Sequence, residues 1–246
     1  MAGDQGKPLT LREHLNEFRK RLVIVLLSMT LGTAVAFIFH RRIIGILTES
    51  VHDILSGGNA SLVYTQLTET LGVSMKVSLM GGFVLALPVV FYQIVMFVSP
   101  GLTTRERRYL LMFMPAVVIT FTLGVLFGYF VLLPPALRFL LTFDADIATP
   151  MIRIGNYINV VTRLLFWLGV VFEIPIVIFL LAKLRLVSYK KLARGRRLAV
   201  IFAFILGAMI TPTFDPINQT LVAVPIFLLY ESGIWLAWVA RRKEKN

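Results

Sequence analysis

Among the ionisable residues, Glu173 asks most for a chemical account. It stands ten residues before Lys183 at the basic end of an apolar run, roughly 15 Å of helix away and so near the middle of a bilayer. An ionised carboxyl at that depth costs about 2.5 kcal/mol or more, so the group must be protonated, paired or facing a wet cavity. Intramembrane acids serve function by default; a carboxyl hydrogen-bonded to a neighbouring helix for packing alone is the alternative. Two residues on, Pro175 removes a helical hydrogen bond to the carbonyl of Val171, which predicts a kink. Glu231 stands equally far before Arg241, but Tyr230, Ser232 and Gly233 make its surroundings more tolerant, and a structural hydrogen bond to another helix suits it.

Further acids lie among basic residues. In the stretch Leu11 to Leu22, the residues Leu11, Leu15, Phe18 and Leu22 share one helical face, and Glu13, Glu17 and Arg21 are spaced four apart on another. An ordinary solvated ion pair would account for that spacing. Glu106 is set among Arg105, Arg107 and Arg108 just after the turn Pro100-Gly101, where it opens a helix and suits its dipole. Asp215 sits in the tight stretch Thr211 to Pro216, a place for a helix cap.

Several chemistries are missing. The histidines His14, His40 and His52 are scattered, and no HExxH, GxSxG, Walker A or GxGxxG pattern occurs. Without cysteine there is no disulfide, thiolate metal site or thiol nucleophile. No aspartate falls within an apolar run, as a membrane aspartyl protease would require. The expectation is a chain that is not an enzyme and uses no cofactor or metal.

The elements that must position these groups are membrane spans. The chain of 246 residues is 57% apolar with a mean hydropathy of +0.81, more apolar surface than a soluble core of this size can bury. The net charge of +12 comes in short clusters between apolar runs, which fits a membrane surface better than nucleic acid. Predicted spans are Leu22 to Phe39, Leu71 to Val98, Tyr109 to Leu133, Tyr157 to Leu181, Leu198 to Ile210 and Leu221 to Ala240. The fifth covers only roughly 20 Å at about 1.5 Å per residue, so its neighbourhood should be thinned membrane or a wet depression.

The N-terminus, the loop at Arg105, the stretch Lys183 to Arg197 and the C-terminus hold 19 of the 25 Lys and Arg. The opposite loops hold only Arg41, Arg42, Arg138 and Arg153, an asymmetry that places both termini in the cytoplasm. On the outer side, Ile43 to Leu55 has helical apolar spacing and Pro135 to Phe143 follows a proline pair; both should cap that face. With no repeat or flexible linker in view, residues 1–246 read as one transmembrane domain with a short basic tail, 241–246.

Five ordered segments carry a resemblance: LREHLNEFRKRL, ALPVVFYQIVMFVSPGLTTRERR, GYFVLLPPALRF, VVFEIPIVIFLL and ITPTFDPINQTLVAVPIFLLYE. Together they resemble the TatC family, the multispanning subunit of the twin-arginine protein translocase, over nearly the whole chain. The resemblance implies an all-α membrane protein of about six helices in a curved bundle, with short fifth and sixth helices and capped on its outer face. It further implies a receptor in the bacterial cytoplasmic (inner) membrane for twin-arginine signal peptides of folded cargo, in a pathway driven by the proton-motive force. Carried onto this chain, Glu17 and Glu106 would receive the arginines, with Phe97, Pro100, Arg19 and Arg107 shaping the patch. A guanidinium fork pairs best with carboxylates held in place. Glu173, Gln219, Asp215 and Glu69 would be the polar groups in or near the membrane. TatA- and TatB-type single-span subunits would dock there, and several copies of the chain would join one complex. Some members carry a proline just beyond the first span, where this chain has Thr48-Glu49-Ser50. The competing reading is a proton-coupled secondary transporter of a small substrate, although such a chain should show a repeat or paired broken helices.

Overall fold

The amphipathic lead-in and the first apolar run form one uninterrupted helix, α1 (Leu11–Ile38). The computed structural model describes residues 11–55, 62–98, 103–142, 151–184, 186–211 and 215–242, and nearly all of them are helical. After α1 come α2 (His40–Leu55), α3 (Glu69–Val98), α4 (Thr104–Met112), α5 (Met114–Phe127), a π-helical turn (Gly128–Leu132) and α6 (Leu133–Thr142). The chain ends with α7 (Ile154–Phe172), α8 (Ile174–Lys183), α9 (Tyr189–Arg194), α10 (Arg196–Ile210) and α11 (Pro216–Arg242). Helix is what lipid demands, because it pairs the backbone N–H and C=O groups within the segment.

Five stretches are long and apolar enough to cross a membrane: Leu11–Ile38, Glu69–Val98, Met114–Leu140, Ile154–Lys183 and Pro216–Trp238. α10, which contains the fifth predicted span, falls outside this set: its 15 residues make it about 22 Å long, short as expected. α11 is longer than expected, 27 residues, because it starts at Pro216 beside a capping Asp215 instead of at Leu221.

Prolines decide where the long helices change course. Pro115 and Pro175 each follow a one-residue break by two positions, at Phe113 and at Glu173. At Glu173 the backbone tightens, its N–H bonding to the carbonyl of Val170 at 3.1 Å, so the predicted kink is a full division between α7 and α8. Pro134 and Pro135 follow the π-helical turn, where the N–H of Leu133 reaches back five residues to Gly128. Pro88 and Pro225, by contrast, lie inside continuous helices.

The chain divides into two compact units, Met1–His40 with Ser78–Val118, and Arg41–Val77 with Ile119–Asn246. In the first, α1 and the later part of α3 run antiparallel and cross at two glycines. A Cβ on Gly32 would lie 2.6 Å from the carbonyl oxygen of Gly82, so the backbones meet where neither residue has a side chain.

In the second unit, α5 lies on α7 at a similar crossing, where a Cβ on Gly124 would lie 2.7 Å from the oxygen of Leu168. Phe121, Leu133, Ile158 and Leu168 fill the surrounding core. The first segment expected on the outer face is helix α2, its Leu47 and Val51 buried, and the hydroxyls of Tyr129 and Tyr157 bond the successive carbonyls of Ile46 and Leu47 at 2.6 and 2.5 Å. The second is α6. A feature with no periodicity to announce it is a two-residue parallel ladder, β1 (Leu62–Val63) on β2 (Ile152–Arg153), pairing Leu62 with Ile152 and Val63 with Arg153. α8 packs on α11 through Ile178, Ala182 and Ala237.

Candidate functional site

The acids of the lead-in meet residues of α3 within the first unit. His14, Phe18 and Arg21 recur at helical spacing on α1, and Gln93 and Phe97 lie one turn apart on α3, so two matching faces oppose each other. Phe97 packs on His14 with ring centroids 4.4 Å apart and edge-on against Phe18 at 5.7 Å. One turn along, Arg21 donates Nε to Glu17 Oε1 at 3.1 Å, adds Nη2 to the same oxygen, and gives Nη1 to Gln93 Oε1 at 3.2 Å. Glu17 and Arg21 are half-buried, and Gln93 is 8% exposed.

These groups border a cavity of about 350 Å³, open to the surface and lined by Asn16, Glu17, Lys20, Arg21, Ile24 and Gln93. Among the described residues Glu17 Oε2 accepts no hydrogen bond, so one lone-pair face of the carboxylate is free for a donor. Arg19 is exposed on α1. Arg107 on α4 places Nη2 2.9 Å from Met96 Sδ, one residue from Phe97. Glu106 opens α4 beside it, as its sequence context predicts, and its side chain, like Pro100, lies outside what the structure describes. Glu17, Phe97 and Arg107 thus belong to one unit and to three helices, α1 and α4 each touching α3.

The other predicted groups lie in the second unit and are not gathered at one point. Glu173 occupies the break between α7 and α8, half-buried, with Oε1 accepting the hydroxyl of Thr120 on α5 at 2.9 Å. Gln219 ties α11 to α10 through Nε2 and the carbonyl of Phe204 at 2.8 Å. Asp215 caps α11, its Oδ1 accepting the N–H groups of Ile217 and Asn218 at 2.9 Å each and its Oδ2 the amide of Asn218 at 2.8 Å.

Glu69 is engaged within the chain. Its carboxylate accepts the N–H of Gly155 at 2.9 Å and of Thr65 at 3.0 Å, with Arg153 Nη2 at 3.6 Å. It therefore stitches the approach to α3 onto the start of α7, beside the short ladder.

Two contributors escape a reading by residue type. Gln93 lies in the run VVFYQIVMFV, and the usable signal is that an amide in such a run must find a partner. Thr120 lies in a stretch of Val, Ile and Phe and gives no sign of its acceptor. Among the described residues no three His, Asp or Glu side chains gather as metal ligands would. What the first-unit site offers is a fixed carboxylate, an amide and aromatic rings in a basic surface, which is the equipment for holding a guanidinium.

Residues 13–225 match the family model described as Sec-independent protein translocase protein (TatC). A protein so named from Carboxydothermus hydrogenoformans is 37% identical over 240 residues, covering 98% of this chain and 97% of that one. One from Aquifex aeolicus is 38% identical over 241 residues, covering 97% and 98%. A crystal structure of the twin arginine translocase receptor TatC, 36% identical, superposes with a TM-score of 0.81 over 93% of this chain and 100% of the other. The same receptor in DDM gives 0.82 at 36% identity, covering 92% and 99%.

Proposed function

The chain belongs to the TatC family, and from that premise we propose that Glu17 and Glu106 receive the paired arginines of a signal peptide at the site formed by α1, α3 and α4. It is a multi-pass membrane protein and a receptor subunit of the twin-arginine translocase. With the family established, the small-substrate transporter reading is set aside. The observation that supports the binding assignment is Glu17, held in place beside an open cavity of about 350 Å³ with one carboxylate oxygen unengaged. Phe97 braces α1 against α3, while Arg19 and Arg107 keep the surface basic, so a lone cation is repelled unless it also finds a carboxylate fork. Pro100, just after α3, shapes the same patch.

The surrounding assignments follow from the same premise. Both termini and the basic tail face the cytoplasm of a bacterial inner membrane, because the Lys- and Arg-rich segments gather on one side. TatA- and TatB-type single-span subunits meet the polar groups at Glu173 and Gln219, several copies of the chain assemble together, and the proton-motive force drives transport of folded cargo. No catalytic step is assigned to this chain.

Crosslinking of a twin-arginine signal peptide to the membrane-embedded protein tests the assignment: Glu17→Ala and Glu106→Ala should each weaken it severalfold. Wild-type crosslinking in both variants would defeat it. Export of a folded twin-arginine reporter in cells lacking their own family member tests the wider role.

A further inference from the structure

Resting on the recognition role of Glu17, we infer that Arg21 is an internal stand-in for the incoming arginine: it holds Glu17 in the free receptor and moves onto Gln93 when a signal-peptide guanidinium arrives. A carboxylate meant to grip an arginine from outside already grips one from inside. Arg21 places Nε and Nη2 on Glu17 Oε1 while Nη1 reaches Gln93 Oε1 at 3.2 Å. The guanidinium therefore already touches the acceptor it would retain after release.

Charge explains why the exchange matters. With Arg21 in place Glu17 is neutralised, and the cavity wall presents Lys20 next to exposed Arg19; a second cation meets repulsion there. Once Arg21 withdraws, both carboxylate oxygens become available, so an incoming guanidinium can take the full fork instead of Oε2 alone. Gln93 can take the displaced group because its amide oxygen has two lone pairs and its burial keeps it fixed.

The exchange also discriminates. One guanidinium replacing another restores the same planar fork on the carboxylate, so little is lost. An ammonium offers a point charge without that fork and does not compensate the bonds it displaces. The cost of displacing Arg21 is common to both cations, so Arg21 lowers the affinity for each, and the preference for arginine comes from the fork it restores on Glu17. If Arg21 instead merely held the Glu17 rotamer, its removal would weaken binding, the opposite sign.

The test uses the full chain in detergent, with a fluorescent synthetic signal peptide bearing Arg-Arg and a matched Lys-Lys peptide read by anisotropy. Arg21→Met should tighten Arg-Arg binding about two- to fivefold, the scale of a partly exposed helix ion pair. It should tighten Lys-Lys binding by a similar factor and leave the discrimination ratio unchanged, because both peptides displace the same internal partner. Gln93→Leu should weaken Arg-Arg binding by a similar factor and have no effect in the Arg21→Met background. Unchanged or weaker Arg-Arg binding in Arg21→Met overturns the inference, as does wild-type binding in Gln93→Leu, which decides the matter if Arg21→Met fails to fold. Glu17→Gln separates the two levels. If it binds both peptides as wild type does, the recognition role itself is wrong; if it loses Arg-Arg binding while Arg21→Met gains nothing, only the stand-in role is.

Discussion

Arg196, the first residue of α10, donates Nε and Nη2 to the two carboxylate oxygens of Glu231 on α11, at 2.7 and 2.9 Å. The hydroxyl of the adjacent Tyr230 reaches the carbonyl of Leu192 on α9 at 2.9 Å. Two neighbouring residues of α11 thus hold both sides of the α9–α10 junction, and Glu231 has the interhelical partner its sequence position called for. Since the pair is partly exposed, Glu231→Ala should lower stability by only about 1 kcal/mol. The exchanged double variant, Arg196→Glu with Glu231→Arg, should recover most of the loss in a thermal melt of the purified protein.

Glu173 keeps its position through Thr120 and through the helix break, so removing its carboxyl should leave the fold largely intact. Glu173→Ala is expected to reduce export of a folded reporter severalfold while signal-peptide crosslinking stays near wild type. Glu173→Gln, which retains the acceptor oxygen for Thr120, should retain more export than the alanine variant. Equal export by all three forms would mean that the carboxyl serves packing alone.

Glu69 offers a stability test. Glu69→Ala strands the half-buried N–H of Gly155, returns the exposed N–H of Thr65 to solvent and loosens Arg153, so the junction loses its shared acceptor. Gly155→Ala should act on the same junction from the other side, because the added Cβ would lie 2.7 Å from Glu69 Oε1. Both variants should melt earlier than wild type, and their combination should lose less than the two separate losses added together.

The crossing of α1 and α3 predicts an effect at a distance. Gly32→Val would press a branched side chain onto the Gly82 carbonyl, and overpacking of that kind costs about 1–3 kcal/mol. Signal-peptide binding should fall together with melting temperature, although Gly32 touches no part of the cavity. A substitution to lysine at exposed Ile38, by comparison, should leave peptide affinity unchanged.

Much of this was legible from residue order. Apolar run length located the long helices, the Ile43 to Leu55 spacing located α2, and Pro175 located the division at Glu173, because each depends on residues within a few turns. The Asp215 cap was legible for the same reason. Contacts across long separations were not. Arg21 with Gln93, Thr120 with Glu173 and the ladder of Leu62 on Ile152 depend on how one helix or loop is set against another, and no local pattern specifies that. Glu69 shows the difference sharply: its place at the head of α3 was readable, but its partners lie on an approach loop and at Gly155.

One geometric relation on α1 and α3 reaches further. Arg21 meets Gln93 and Gly32 meets Gly82, so both helices measure eleven residues between the same two fastenings. The pair behaves like two rulers pinned at matching graduations. Inserting or deleting a single residue between the pins in one helix would turn Glu17 by about 100° and slide it about 1.5 Å relative to the other, while making the same edit in both would bring the graduations back into step. The angular setting of the receptor's acid is thus held by a count of helical turns, set at a glycine crossing roughly 22 Å away.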